Sequence, residues 1–146
     1  MKDNCLICKR IADINKNKNP YFISELSTGY VVLGDYQFQQ GYTLFLCKKH
    51  AAELHELTPE FKSRFLLEMS KVAEAIYKAF NPKKLNYELL GNTDCHLHWH
   101  IFPRYKSDKS PKQPIWTIPS SIRNAKKYKP TEEEIEQLKK KILKYL

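Results

Sequence analysis

The sequence predicts an α+β domain: an antiparallel sheet of about five strands in a meander, with one long helix and shorter ones. Three observations lead there. Short runs rich in β-branched and aromatic residues occur at 21–25, 29–35, 42–47, 84–91 and 95–102. One stretch, "TPEFKSRFLLEMSKVAEAIYKAF", repeats its apolar residues every three or four positions. The order is strand, strand, strand, helix, strand, strand, helix, as expected of an α+β arrangement. A chain of 146 residues fits one domain. Residues 1–130 are expected to form its body, and 131–146 a C-terminal amphipathic helix belonging to the same domain.

Each element has a local cause. Residues 4–14 read as a short helical segment, closed by the polar loop "NKNKNP". "YFISE" and "GYVVLGD" read as strands joined by the turn "LSTG", and "YTLFLC" as a third strand, apolar nearly throughout and therefore central. The long helix carries Phe61, Phe65, Met69, Val72, Ile76 and Phe80 on one face, with Thr58 as N-cap, Pro59 at its first position and Asn81-Pro82 as its end. "KLNYELLG" and "CHLHWHIF" read as the last two strands, with Pro103 stopping the second. Residues 106–130, rich in Lys, Ser and Pro, read as an extended loop. In "TEEEIEQLKKKILKYL", Thr131 and Glu134 match a capping box, and Ile135, Leu138, Ile142 and Leu146 form a stripe.

Composition narrows the function. Hydrophobic residues make up 42% and charge is spread along the chain, as in a soluble globular protein. There is no apolar run long enough for a membrane span, and "MKDNCLICKRIADINKN" has no apolar core of a secretory signal, so a cytoplasmic protein is expected. The net charge of +9 fits either a solvated lysine-rich surface or a taste for phosphates. Basic motifs interleaved with aromatics are missing, so small phosphorylated ligands are expected rather than long nucleic acid. With only four glycines and neither glycine-loop phosphate motif, a glycine-built phosphate cradle is not expected. Cys5 and Cys8 form C-x-x-C, a spacing suited to a metal or a redox pair.

"HLHWHIF", residues 96–102, holds three of the five histidines at every second position. On a strand that spacing puts His96, His98 and His100 on one face, about 7 Å apart at a rise of roughly 3.3 Å per residue. A row of imidazoles can surround a phosphate or a metal; one can attack while its neighbours orient it or handle protons. Half-exposed histidines on an amphipathic strand, or a site for metal alone, are the plainer alternatives.

This stretch resembles the signature of the histidine triad (HIT) family of nucleotide hydrolases and nucleotidyl transferases, H-φ-H-φ-H-φ-φ with φ apolar, and matches it in full. The resemblance extends from about Cys5 to Arg104: "GYTLFLCKKH" is similar to the family's apolar strand with its basic turn, and Asn92-Thr93 to the polar step before the triad. It implies a HIT-like fold and a hydrolase acting at the α-phosphorus of a nucleoside phosphate derivative: a dinucleoside polyphosphate, a phosphoramidate or an acyl-nucleotide. It implies that His98 attacks to form a nucleotidyl-histidine, that His100 contacts a phosphate oxygen and that His96 orients the nucleophile. Asn92 and Thr93 would hold the phosphate or leaving group, and Asp35 the ribose. No divalent metal is expected to be needed for catalysis.

The resemblance also implies a homodimer, joined through the long helix and an edge strand. Some HIT proteins combine a C-x-x-C, a histidine after a basic pair and the first triad histidine as a zinc site. Here that set is Cys5, Cys8, His50 and His96, with zinc in a structural role. The chain departs from the pattern at Tyr42, where many members carry a fourth histidine after a glycine, and at Gln40, where a proline is usual. Tyr42 keeps open a nucleotide-binding or sensing protein with little turnover, and the cysteines keep open a zinc-stabilised module. Outside the triad, His55 reads as a surface residue and Trp99 as core or dimer packing. Trp116 reads as a cover for the site or a subunit contact, and Arg104 as an outer-phosphate contact or a surface charge.

Overall fold

The computed structural model describes residues 4–146, so the expected domain start at residue 1 lies outside them. Five antiparallel strands form one sheet in the order β1-β2-β3-β5-β4: β1 Phe22–Glu25, β2 Gly29–Leu33, β3 Thr43–Cys47, β4 Lys84–Glu88 and β5 His98–Arg104. The first three strands are the expected meander. The long helix α2, Pro59–Phe80, then crosses over, β4 takes the edge, and β5 returns between β4 and β3. The histidine-bearing strand is therefore paired on both sides.

The sheet is covered on both faces, which is why β2 is buried at every position. On one face Val31, Leu33, Phe45 and Ile101 pack with Phe65, Val72 and Ile76 of α2. On the other, Tyr30, Val32 and Leu46 pack with Ile7 and Ile14 of α1, Leu6–Asn15. The register sets Leu46 beside His98 and Leu44 beside His100, so both histidines point to the α1 side. Trp99 points the other way and packs partly buried against the α2 core.

Caps form where the residue types call for them. The Thr58 side chain accepts from Phe61 N, and α2 ends at Asn81 in the left-handed conformation, φ 46°. Thr131 and Glu134 form the capping box of helix Glu132–Leu143, whose Ile135, Leu138 and Ile142 are buried in the α2-side core. Buried Glu68 of α2 accepts from the backbone N–H groups of Ser27 and Thr28 and from the Thr28 hydroxyl, pinning the helix to the β1–β2 turn.

Three local expectations are corrected. Strand β5 starts at His98 rather than Cys95, because the chain before it turns: His96 N–H donates to Asp94 O and Leu97 N–H to Ala51 O. Pro103 does not stop the strand. It pairs with Leu85, and β3 has already ended at Thr43 opposite Ile101, so Pro103 denies β3 no hydrogen bond. The 106–130 segment is not extended; it forms short helical turns at Ile115–Thr117, Ser120–Arg123 (α3) and Lys126–Tyr128, anchored by buried Ile115. Among the described residues, no helix is long and apolar enough to cross a membrane.

Candidate active site and metal centre

The first turn of α1 brings its two cysteines under the end of β3. Cys5 is the N-cap, its sulfur accepting from Cys8 N–H, so both thiols sit at the same helix end. His50, after β3, and His96, before β5, converge on them. Cys5 Sγ lies 3.4 Å from His96 Nδ1, Cys8 Sγ 3.5 Å from the same nitrogen, and Cys8 Sγ 3.3 Å from His50 Nδ1. All four ligand atoms lie within 4.8 Å of one another. Two sulfurs and two nitrogens around tetrahedral zinc would place S and N roughly 3.5 Å apart, given bonds of about 2.3 and 2.0–2.1 Å. The donor set therefore fits such an ion. His96 is turned for ligation: its Nε2 lies 2.8 Å from Cys47 O, so that nitrogen carries the proton and Nδ1 presents a lone pair to the thiols. Burial lowers the His96 pKa, against the pull of the Cys47 carbonyl, and keeps the ring neutral as a ligand must be.

His98 is buried, and its Nδ1 lies 2.6 Å from the carbonyl oxygen of His96. A carbonyl only accepts, so Nδ1 carries the proton and Nε2 keeps its lone pair. The contact that fixes the His98 ring thus comes from the His96 backbone, while the His96 ring faces the cysteines. The alternation rule does not reach His96 because that residue precedes the strand.

His100 stands beside His98, with ring centres 4.7 Å apart and planes at 70°. Its Nδ1 lies 2.6 Å from the Tyr42 hydroxyl. Burial, followed by the neighbouring His98 and Arg123 charges, pushes the His100 pKa down to about 3, so the ring is neutral at physiological pH. Burial also raises the Tyr42 pKa, so the phenol keeps its proton. Among the described residues the hydroxyl has no other hydrogen-bond partner, so its proton goes to Nδ1 and His100 carries its own on Nε2. Tyr42 thereby selects a tautomer that can donate to a phosphate oxygen.

These rings line one cavity with Arg10, Asp35, Trp116 and Arg123. Asp35 lies there as the sequence reading placed it, but both its oxygens accept from Arg10, at 2.8 and 2.5 Å. Asn92 and Thr93 are not brought to the cavity. They stand exposed on the loop before β5, and Asp94 lines the cavity in their stead, because the turn closed on Asp94 O directs the two preceding residues outward.

The 105–123 segment closes one side. Trp116 meets His100 edge-on at 5.2 Å and Phe102 at 5.5 Å, and its indole N–H donates to Glu88. Trp116 therefore covers the site within its own chain. Arg104 is not a phosphate contact. It is buried, donating to Asp108, Asn86 Oδ1, Gln113 O and Ser110 O, and it anchors this segment to the sheet.

A family model described as the HIT domain matches residues 18–107. The chain belongs to the HIT family. A HIT protein of Bacillus subtilis is 34% identical over 109 residues, covering 70% of this chain and 72% of that protein. The adenosine 5'-monophosphoramidase of Saccharomyces cerevisiae is 27% identical over 108 residues, covering 73% and 65%. A crystal structure of a histidine triad protein from Sinorhizobium meliloti superposes with a TM-score of 0.76 at 23% identity, over 90% of this chain and 94% of that one, and shows the shared HIT fold. Sequence reasoning missed both cavity arginines of this HIT protein. Arg10 lies one helical turn beyond Leu6, with no local pattern to mark it, and Arg123 was hidden in a segment read as loop. For Arg123 the only signal was an apolar "PIWTIP" stretch too hydrophobic for a solvated linker.

Proposed function

We propose that this HIT protein is a hydrolase that cleaves a nucleoside phosphate derivative at the α-phosphorus, with His98 as nucleophile. The observation that carries the reading is the His98 ring: Nδ1 is committed to the His96 carbonyl, and the ring lines the cavity beside His100. The Nε2 lone pair attacks phosphorus, an N–P bond forms, and the bond to the leaving group breaks with its electron pair on that group. Water then attacks, the N–P bond breaks, Nε2 recovers its lone pair, and the mononucleotide departs. The water's proton passes to the leaving group or solvent. His100 Nε2–H donates to a phosphate oxygen whose charge grows in transit. Asp35, steadied by Arg10, receives the ribose hydroxyls on its remaining lone pairs. No added divalent metal is required, since these donors supply the charge stabilisation.

Zinc on Cys5, Cys8, His50 and His96 is structural in this reading, supported by the fit of the donor set. A homodimer is supported by the free edge of β4 with exposed Tyr87 and by exposed Leu66, Leu67 and Tyr77 on α2. Light scattering that reports a monomer at micromolar concentration would overturn the dimer. Residues 1–130 and the C-terminal helix act as one domain, and the thiol-rich site suits a reducing cytoplasm.

The deciding experiment incubates the protein with adenosine and guanosine 5'-phosphate derivatives, without added divalent metal, and measures released mononucleotide. Release is expected. Binding without release over hours at excess protein would favour a nucleotide sensor, the reading that Tyr42 motivates.

A further inference from the structure

Arg123 is the cavity arginine that, among the described residues, has no carboxylate partner. Its guanidinium lies over the Trp116 ring at 4.6 Å, and its Nε donates to Ile118 O at 2.8 Å. These contacts fix the plane of the group and use one of its five N–H donors. Among the described residues no carboxylate lies within ion-pair distance of it. Arg10, the other arginine of the cavity, is by contrast committed to Asp35. Half-buried Arg123 shares the cavity with His98 and His100, and Trp116 bridges it to His100. Glu88, the nearby acid, accepts the Trp116 indole N–H and acts on Arg123 only through its charge, from beyond ion-pair distance. A partly desolvated guanidinium, held in plane and with its terminal N–H groups available, matches an anionic oxygen pair of a phosphate.

We propose that Arg123 sets leaving-group specificity: it binds the phosphate attached to the α-phosphorus, so the site favours nucleoside phosphoanhydrides over phosphoramidates, whose leaving amine is uncharged. The inference rests on the reading of the cavity as a nucleotide site. The chemistry of the neighbours agrees. A phosphate leaves as an anion, taking the electron pair of the broken P–O bond on its bridging oxygen, and needs positive charge more than a proton. An amine needs a proton, and neither neutral His100 nor the Tyr42 phenol supplies one readily. A fixed cation at Arg123 serves the first kind of departure and not the second.

The test compares wild type, Arg123→Gln and Arg123→Lys on two substrates sharing one nucleoside, diadenosine tetraphosphate and adenosine 5'-phosphoramidate. In Arg123→Gln the ratio of kcat/KM values, anhydride over amidate, should fall about tenfold or more, the size of one charge-assisted hydrogen bond. Arg123→Lys should restore part of that ratio. A smaller change in Arg123→Gln, or an equal loss on both substrates, overturns the proposal, because an arginine that only props the Trp116 segment would act on both alike. Calorimetric binding of AMP and ADP separates this failure from failure of the hydrolase reading, since it needs no turnover. Wild type should bind ADP at least tenfold more tightly than AMP, and Arg123→Gln should lose that difference; equal affinities in wild type overturn the role of Arg123.

Discussion

His98 Nδ1 and the carbonyl oxygen of His96 lie 2.6 Å apart, so one residue joins the two centres. The ring of His96 faces the cysteines, and its backbone aims the imidazole that faces the cavity. A disturbance at the proposed metal ligands would therefore reach the proposed nucleophile, His98, through a single peptide unit.

Metal removal is the first consequence. Stripping the proposed zinc with a chelator, or making Cys8→Ser, should lower Tm by about 5 °C or more, since binding energy at such a site is folding energy. It should also cut kcat by about tenfold or more, as loss of an orienting contact does. Metal content, thermal melts and turnover on the same samples check this. Metal-depleted protein with unchanged kcat would show that the Cys47 and Ala51 contacts alone hold the His96 carbonyl.

His98→Asn should fold and bind nucleotide normally but lose turnover by about a thousandfold or more, the scale on which covalent nucleophiles matter. Rapid quenching without acid should recover an acid-labile nucleotide-bearing protein from wild type and none from the variant. Retention of a tenth of wild-type turnover would assign the attack to another group.

Tyr42→Phe should lower kcat by roughly tenfold, because one lost hydrogen bond to the ring no longer selects its tautomer. Gly34→Ala should do at least as much. A Cβ at Gly34 would lie 2.0 Å from the Tyr42 ring, which must then leave its stack on Phe102 at 3.9 Å. Overpacking of this kind costs about 1–3 kcal/mol of stability. Steady-state kinetics and denaturant unfolding separate the two effects.

The pH dependence follows from burial of His100, which lowers its pKa to about 3. An unfolded histidine titrates near ~6.5. Between those values the unfolded chain binds a proton that the folded chain refuses, so stability is intact above pH ~6.5 and declines as pH falls toward 3. The drop in Tm from pH 7 to pH 5 should be smaller in His100→Gln than in wild type. An identical drop would show that other groups dominate acid unfolding.

Much of this molecule was legible locally. The α2 stripe, both caps, the strands and the alternation of His98 and His100 each depend on neighbours within a few residues, and their periodicities carry straight into the fold. The resemblance to the HIT family started from seven consecutive residues, 96–102, and the family model over residues 18–107 bears it out. Beyond that range, contacts between distant segments took over. That His96 leaves the row of histidines was decided by the Ala51 carbonyl capturing Leu97 and by two cysteines 91 and 88 residues away in the chain. That Arg104 anchors a segment while Arg123 enters the cavity depended on where the 105–123 chain could satisfy its carbonyls, four of whose hydrogen bonds go to these two arginines or to Thr117. Hydrogen-bond partners and burial are properties of packed neighbours, and sequence spacing does not encode them until the chain has folded back on itself.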